Sequence, residues 1–389
     1  MELWVQTQFL RMDFASAGPL VPWLGPAIRG MLAQQIKQHF CRWPPQEQQR
    51  RWRFCRGCPH QQDCPYGLTF EPDPPSDWRF GKAQADGQRA ICLAPFFPVD
   101  NWAEPGDAVQ VRLCLLGQRA IQAGHLILEY LQSPDVPFRL GKHKIKVRFT
   151  LMEPEVDWPA GIHRLRVSDL NSSHAEAGRI PWLRLELTAP LFLKDSSDKV
   201  GRDGSEIPSP RPPGNHFSSQ PGENSRNSFD SVHGEPMEDT QRQIGGQSAC
   251  VDLNGAAHPK PMCAGQRSSR APGLGSPGPD FGRLFRACLR TVGRAFGQFG
   301  QGLLEDHVDF QGLKQLADSV PTQAAFWKPF RQMHLSHRQA QRYCLRGLVG
   351  GAVFTDVPVV LLPWLLWGGR FGVGEYRVAG AGTWRIGLW

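Results

Sequence analysis

Cys41, Cys55, Cys58 and Cys64 stand in the pattern C-x13-C-x2-C-x5-C. Four thiolates this close in sequence can close a tetrahedral site, and the Cys55/Cys58 pair has the spacing at which one turn supplies two ligands. Four protein ligands leave no open coordination position, so the expected role is a structural staple rather than a catalytic centre. Structural zinc is the expectation. An iron–sulfur cluster, or four unrelated thiols, would fit the same spacing, and His60 is an alternative ligand.

A second chemical signal is Gly372-Val373-Gly374-Glu375-Tyr376-Arg377-Val378-Ala379-Gly380-Ala381-Gly382-Thr383-Trp384. Paired glycines let the backbone take positive φ and let a ligand approach closely, with Arg377 supplying charge. No Lys-Ser/Thr follows the glycines, so this is not a P-loop, and it is not a dinucleotide fingerprint. Gly372, Gly374, Arg377, Gly380 and Gly382 are the candidate contacts. Three basic stretches accompany it. Arg29, Lys37, Arg42, Arg50, Arg51, Arg53 and Arg56 are opposed by Glu47 alone and interleaved with Trp43 and Trp52. Arg139, Lys142, Lys144, Lys146 and Arg148 form one acid-free cluster, and Lys328, Arg331, Arg338, Arg342 and Arg346 another. Cations with interleaved aromatics are what RNA grooves use for phosphate contact and base stacking.

These groups need elements to position them. Trp4–Leu10 reads as a strand, Gly25–Phe40 as an amphipathic helix entered through Pro26, Ala108–Leu115 and Lys144–Leu151 as strands, and Ile121–Leu131 as a helix. These elements fit within the βαββαβ order of a ferredoxin-like domain. Leu183–Leu187 alternates like a strand, and Phe281–Phe299 has helical apolar spacing. Between them, residues 195–279 are rich in Ser, Pro and Gly with no apolar period, which reads as a disordered insertion; Cys250, Cys263 and His258 within it are incidental. The expected architecture is α+β: two tandem ferredoxin-like, RRM-type domains with a cysteine-rich metal-binding insertion and a disordered linker. The first spans 1–180 with its cysteine module at 41–72. The second comprises 181–194 plus 280–389.

Composition agrees. A chain of 389 residues is too long for one small domain, and 44 Lys+Arg against 36 Asp+Glu give a net charge of +8, favouring a polyanionic partner. The longest apolar run, Val357–Trp367, is too short to span a bilayer and contains two prolines. With no secretory leader visible and ten cysteines, the expected setting is a reducing cytoplasm, with no membrane partner.

Taken together, the glycine-rich segment resembles the glycine loop of the RAMP superfamily. The chain as a whole resembles the CRISPR-associated endoribonucleases that process precursor CRISPR RNA. Ile28-Arg29-Gly30, the four cysteines, Cys64-Pro65-Tyr66 and Phe70-Glu71-Pro72 are similar to the N-terminal module of one branch. Ser336-His337-Arg338-Gln339 and Gly347-Leu348-Val349-Gly350 resemble its C-terminal signature. That branch usually carries a His and a Lys around the first glycine pair, where this chain has Phe371 and Glu375, so the loop holds no imidazole. The resemblance implies an RNA groove between two domains and metal-independent attack of a ribose 2′-OH on the adjacent phosphorus, giving a 2′,3′-cyclic phosphate and guide RNAs for antiviral defence. It implies catalysis without a cofactor, with repeat RNA as partner and effector-complex subunits as further partners. The histidine is not fixed by sequence. His39 near Lys37, His143 in Gly141-Lys142-His143-Lys144, and His337 with His334 are the candidates, the last two sharing a face if their segment is helical. Lys37 and Arg338 are further RNA contacts.

Two other readings compete. A non-catalytic RAMP subunit would hold guide RNA without a histidine. A zinc-dependent enzyme would use the cysteine cluster and lose activity to a chelator.

Overall fold

Glu2–Phe14 (β1) turns apolar side chains to both of its faces: Leu3 and Val5 to one, Leu10, Met12 and Phe14 to the other. A strand buried on both sides must lie inside a sheet with cover above and below. The computed structural model, which describes residues 1–43, 55, 58–73, 88–97, 99–153, 160–171, 178–193, 278–300, 302, 304–336 and 341–388, places it so.

After β1 come the helix Gly25–Phe40 (α1), a short helix Pro65–Phe70 (α2), strands Ile91–Pro95 (β2) and Ala108–Leu116 (β3), and the helix Gln118–Gln132 (α3). Strands Phe138–Leu140 (β4), Ile145–Met152 (β5) and Gly161–Arg166 (β6) follow. The sheet order is β2-β3-β1-β5-β4, with β6 beside the first half of β1, and every pairing is antiparallel. The chain order β1-α1-β2-β3-α3-β5 laid onto that sheet is the ferredoxin-like arrangement. Pro26 in the first turn presets the helical φ of α1, and Ile28, Met31, Leu32 and Ile36 recur on one face to cover the sheet beside Ile127, Leu128 and Leu131 of α3.

The second half repeats the plan. Strand Arg179–Leu187 (β7) precedes the helices Phe281–Phe299 (α4) and Phe310–Asp318 (α5). Strands Thr322–Ala325 (β8), Lys328–Ser336 (β9), Gln341–Val349 (β10) and Gly351–Pro358 (β11), the helix Leu362–Phe371 (α6) and the strand Trp384–Leu388 (β12) complete it. Its sheet runs β8-β11-β7-β12, all antiparallel, the same order as in the first half. The fold is therefore α+β with two tandem ferredoxin-like sheets. The β9–β10 hairpin is inserted between β8 and β11.

Both sheets belong to one compact unit, Met1–Asp195 with Gly265–Trp389. Helix α4 joins them. Asp280 caps it by accepting from the backbone N–H of Arg283 at 2.7 Å. Its apolar face, with Leu284, Phe285, Cys288, Val292 and Phe296, packs in a single core with Leu3, Val5, Cys92 and Cys114 of the first sheet and Leu183, Leu185 and Trp364 of the second half. The two halves also meet at Trp23. Its backbone N–H donates to Gln332 Oε1 and its carbonyl accepts from Gln332 Nε2, both at 3.0 Å and both buried. This two-way bond fastens β9 to the entrance of α1, and leaving either group unpaired would cost about 1–3 kcal/mol.

The expected disordered insertion, 195–279, lies outside the described residues except for Gly278 and Pro279, as do Cys250, His258 and Cys263. The segment carrying His334 is not helical. It is strand β9, with His334 opposite Tyr343 on β10, because residues 328–336 alternate an inward Phe330 and Gln332 with an outward Arg331 and Met333. Among the described residues no helix is long and apolar enough to cross a membrane.

Candidate nucleic-acid interface

The basic cluster at 139–148 becomes a hairpin. Gly141 (φ 66°) and Lys144 (φ 52°) supply the left-handed turn between β4 and β5. Phe138, Leu140, Ile145 and Val147 point inward, while Arg139, Lys142, His143, Lys144, Lys146 and Arg148 are all exposed. Arg139 lies directly across from Lys146. Like charges facing each other across strands are unfavourable, and an anion laid on them would relieve the repulsion.

Next to this ribbon lies the end of α1. Cys41 leaves helical geometry (φ −71°, ψ 120°) and ends the helix just after His39. His39 is exposed and stacks on Tyr130 of α3, with ring centroids 4.2 Å apart at 20°. Phe40 meets it edge-on at 4.6 Å. The Tyr130 hydroxyl donates to Gln35 Oε1 at 3.3 Å, and its ring continues edge-on to Phe138 of β4 at 5.9 Å. One aromatic ladder thus holds the His39 imidazole in a fixed plane and ties it to the strand that starts the basic hairpin. Lys37 projects from the same turn, with its ammonium 5.1 Å from the Tyr66 ring centroid. Arg29 is half-buried two turns earlier.

The glycine loop has a different character from the one its sequence suggests. Gly372, Gly374, Gly380 and Gly382 all have φ between 65° and 86°. Its backbone is tied inward: Val373 N–H to Gly382 O at 3.0 Å, Glu375 N–H to Phe192 O at 2.9 Å, and Gly382 N–H to Pro190 O at 2.9 Å. Gly380 presses on β2, where a Cβ would stand 2.3 Å from Ala94 Cα. Only Gly374, Glu375 and Tyr376 are exposed. Arg377 does not face the solvent side of the loop. Its Nη2 donates to the Arg89 carbonyl, its Nη1 is buried, and burial pulls its pKa down to about 10. The loop is a joint between the two sheets first, and Gly372, Gly380 and Gly382 are buried within it.

Residues that the sequence did not single out gather around it. Tyr376, pushed up to about 12 by burial and then by Tyr343, lies against Tyr343 of β10, which meets the His334 ring at 5.2 Å. In the cleft between the sheets, Arg385 sits over the Phe96 ring at 5.4 Å, with Thr188 and the buried Arg112 alongside. Arg112 Nη2 donates to Gly369 O at the carbonyl end of α6, at 3.1 Å. No pattern in the sequence marks these residues, because each owes its role to a partner far along the chain. His337 and Arg338 lie outside the described residues, as do Arg50, Arg51, Arg53, Trp52 and Arg56.

The four cysteines occupy one corner. Cys41 ends α1, Cys64 precedes α2, and the Cys58 N–H donates to Cys55 O at 2.9 Å. Cys58 Sγ accepts from Trp43 Nε1, and the Cys55 N–H donates to Glu71 Oε2 at 2.6 Å. Burial, then the Glu71 carboxylate, pushes the Cys55 thiol up, and burial likewise raises the Cys64 thiol. The donors are of the soft type that zinc takes and they are neighbours. Among the described residues, however, no three His, Cys, Asp or Glu side chains stand as an assembled ligand set.

A family model of an N-terminal domain, AF_1859_N, matches residues 5–168, from β1 to just past β6. No curated protein matches the chain. Solved structures that it resembles include Cas6 and RAMP proteins. A Cas6 product complex shares 12% identity at a TM-score of 0.42, over 98% of this chain and 99% of that one. Thermus thermophilus Cas6 shares 10% at 0.41, over 98% of each chain. A RAMP protein binding different RNA substrates shares 10% at 0.39, over 99% of each.

Proposed function

We propose that this chain is an endoribonuclease that cleaves precursor CRISPR RNA within its repeats, with His39 as the proton-transfer group. The observation that carries the reading is the exposed imidazole clamped on Tyr130 beside the basic β4–β5 hairpin. In this chemistry the 2′-oxygen bonds to phosphorus while the bond from phosphorus to the 5′-oxygen breaks. One proton leaves the 2′-OH and another reaches the departing 5′-oxygen. A histidine suits either transfer near neutral pH. Lys37, one turn from Cys41, offers charge for the phosphorane, and Lys142, Lys144 and Lys146 grip the flanking backbone. His143, at the hairpin tip, fits a contact role better than a catalytic one, since among the described residues no neighbouring element fixes its ring. His337 stays a candidate on sequence grounds.

The test is incubation of the purified protein with labelled repeat RNA from its own locus in excess EDTA. Cleavage at one site, leaving a cyclic phosphate, is the expected result. Tight binding without cleavage would favour a guide-holding RAMP subunit, which Phe371 and Glu375 in the glycine loop would suit. Absence of both, in a chain that stays folded in EDTA, would overturn the RNA reading.

We also propose that Cys41, Cys55, Cys58 and Cys64 hold a structural zinc ion, which would cross-link the end of α1 to α2 and take no part in cleavage. Metal analysis is expected to find about one zinc per chain. Cys55→Ser should lose that zinc and melt lower, with little change in cleavage rate for the folded fraction. A folded, inactive variant would point to a catalytic metal instead.

A further inference from the structure

Helix α4 contains no acidic residue, and Arg283, Arg286, Arg290 and Arg294 recur at steps of three and four. Such steps hold side chains on one helix face, here the face opposite the apolar core. The row is about 16 Å long at 1.5 Å per residue. At its N-terminal end Arg286 pairs with Asp318. Toward the C-terminus, among the described residues, no acid pairs with Arg290 or Arg294. After burial, the charge acting on Arg294 is Arg290, and those lowering Arg290 are Arg286 and Arg283.

The row ends in a corner of unused donors. The Gln88 backbone N–H donates to Gln298 Oε1, which brings the approach to β2 against the last turn of α4. Arg377 reaches the same place to donate to Arg89 O, and the charges of Arg89 and Arg294 both act on it. Arg294 Nε, Gln298 Nε2 and Arg377 Nη1 are all buried there without a hydrogen-bond partner. Buried donors left unpaired are costly, and three of them gathered beside Gln88 and Arg89 within an arginine cluster fit an anion with several acceptor oxygens. A solvated surface would account for exposed Arg290 but not for these inward-facing donors.

We infer that the arginine row of α4 is a second track for the phosphodiester backbone, ending in a phosphate seat built by Arg294, Gln298 and Arg377. This site is separate from the β4–β5 hairpin and His39, and its RNA occupant rests on the function proposed above. Arginines one helical turn apart match the step between successive phosphates of an extended strand. Arg377 thus contributes through the underside of the glycine loop, not through its exposed tip.

The test compares the full chain with Arg290→Gln/Arg294→Gln, and with Arg179→Gln as a control on an exposed ion pair with Asp356. Two probes are used: labelled single-stranded repeat RNA followed by anisotropy across salt, and inorganic tripolyphosphate followed by thermal shift. The double variant is expected to lose about tenfold in RNA affinity. Its plot of log affinity against log salt should flatten by about 1.4, because two phosphates of a single strand would no longer be neutralised. Stabilisation by tripolyphosphate should largely vanish. Without ligand the variant should melt no lower than the parent, because the substitution removes mutual repulsion. Unchanged affinity and slope in a folded double variant would overturn the track. If the parent bound tripolyphosphate through Arg290 and Arg294 but bound no RNA, the seat would stand and the RNA reading would fall. If it bound neither, both would fall.

Discussion

Gly382→Ala is expected to lower stability by about 4 kcal/mol and the melting temperature by about 10 °C. Gly382 has φ 65°, and a Cβ placed there would stand 1.9 Å from the Val373 carbonyl oxygen, whose residue donates back to Gly382 O. The neighbour is backbone held by that hydrogen bond, so it cannot swing aside. The loop would have to open and release Gly380 from β2. Gly141→Ala is the matched control. It has the same sign of φ, at 66°, but nothing within 4 Å of its Cβ position, so it should cost about 1 kcal/mol. Chemical unfolding of both variants checks the point. Equal losses would mean that backbone conformation alone matters and that the loop is not a packed joint.

His39→Ala is expected to reduce cleavage of repeat RNA by 10²- to 10⁴-fold, the usual worth of a positioned proton-transfer group, while leaving RNA affinity within about twofold. The side chain is exposed and stacks on Tyr130 without entering a core cluster, so stability should hardly change. His143→Ala should show the reverse pattern, weaker binding with a near-normal rate of cleavage for bound RNA. Cleavage at the parental rate by His39→Ala would exclude His39 and turn attention to His334, with Tyr343 and Tyr376 beside it.

Some of this was legible in the sequence and some was not, for definable reasons. Helices α1 and α4 were readable to the residue, because Pro26 marks the start of one and the apolar spacing is regular in both. Strand β2 was not, since all five residues of Ile91–Pro95 are buried and nothing alternates. Residues 328–349 carried a legible charge pattern but no decisive period, and the pairing of Arg331 with Arg346 shows 328–336 and 341–349 to be strands. Arg377 shows the limit most plainly. Set between glycine pairs it reads as an open cation, whereas its partner is the carbonyl of Arg89, 288 positions away. The arginines of α4 were present in the sequence too, hidden behind the apolar face that made the helix recognisable.

The strands of the first sheet are covered on one side by α1 and α3, and on the other by a helix of the second half. A wall common to both halves packs them into one compact unit. On the function proposed above, a strand would be laid onto this wall from outside, and capture should then run at a rate set by long-range attraction and by how readily the RNA itself unwinds, with little delay from rearrangement of the protein.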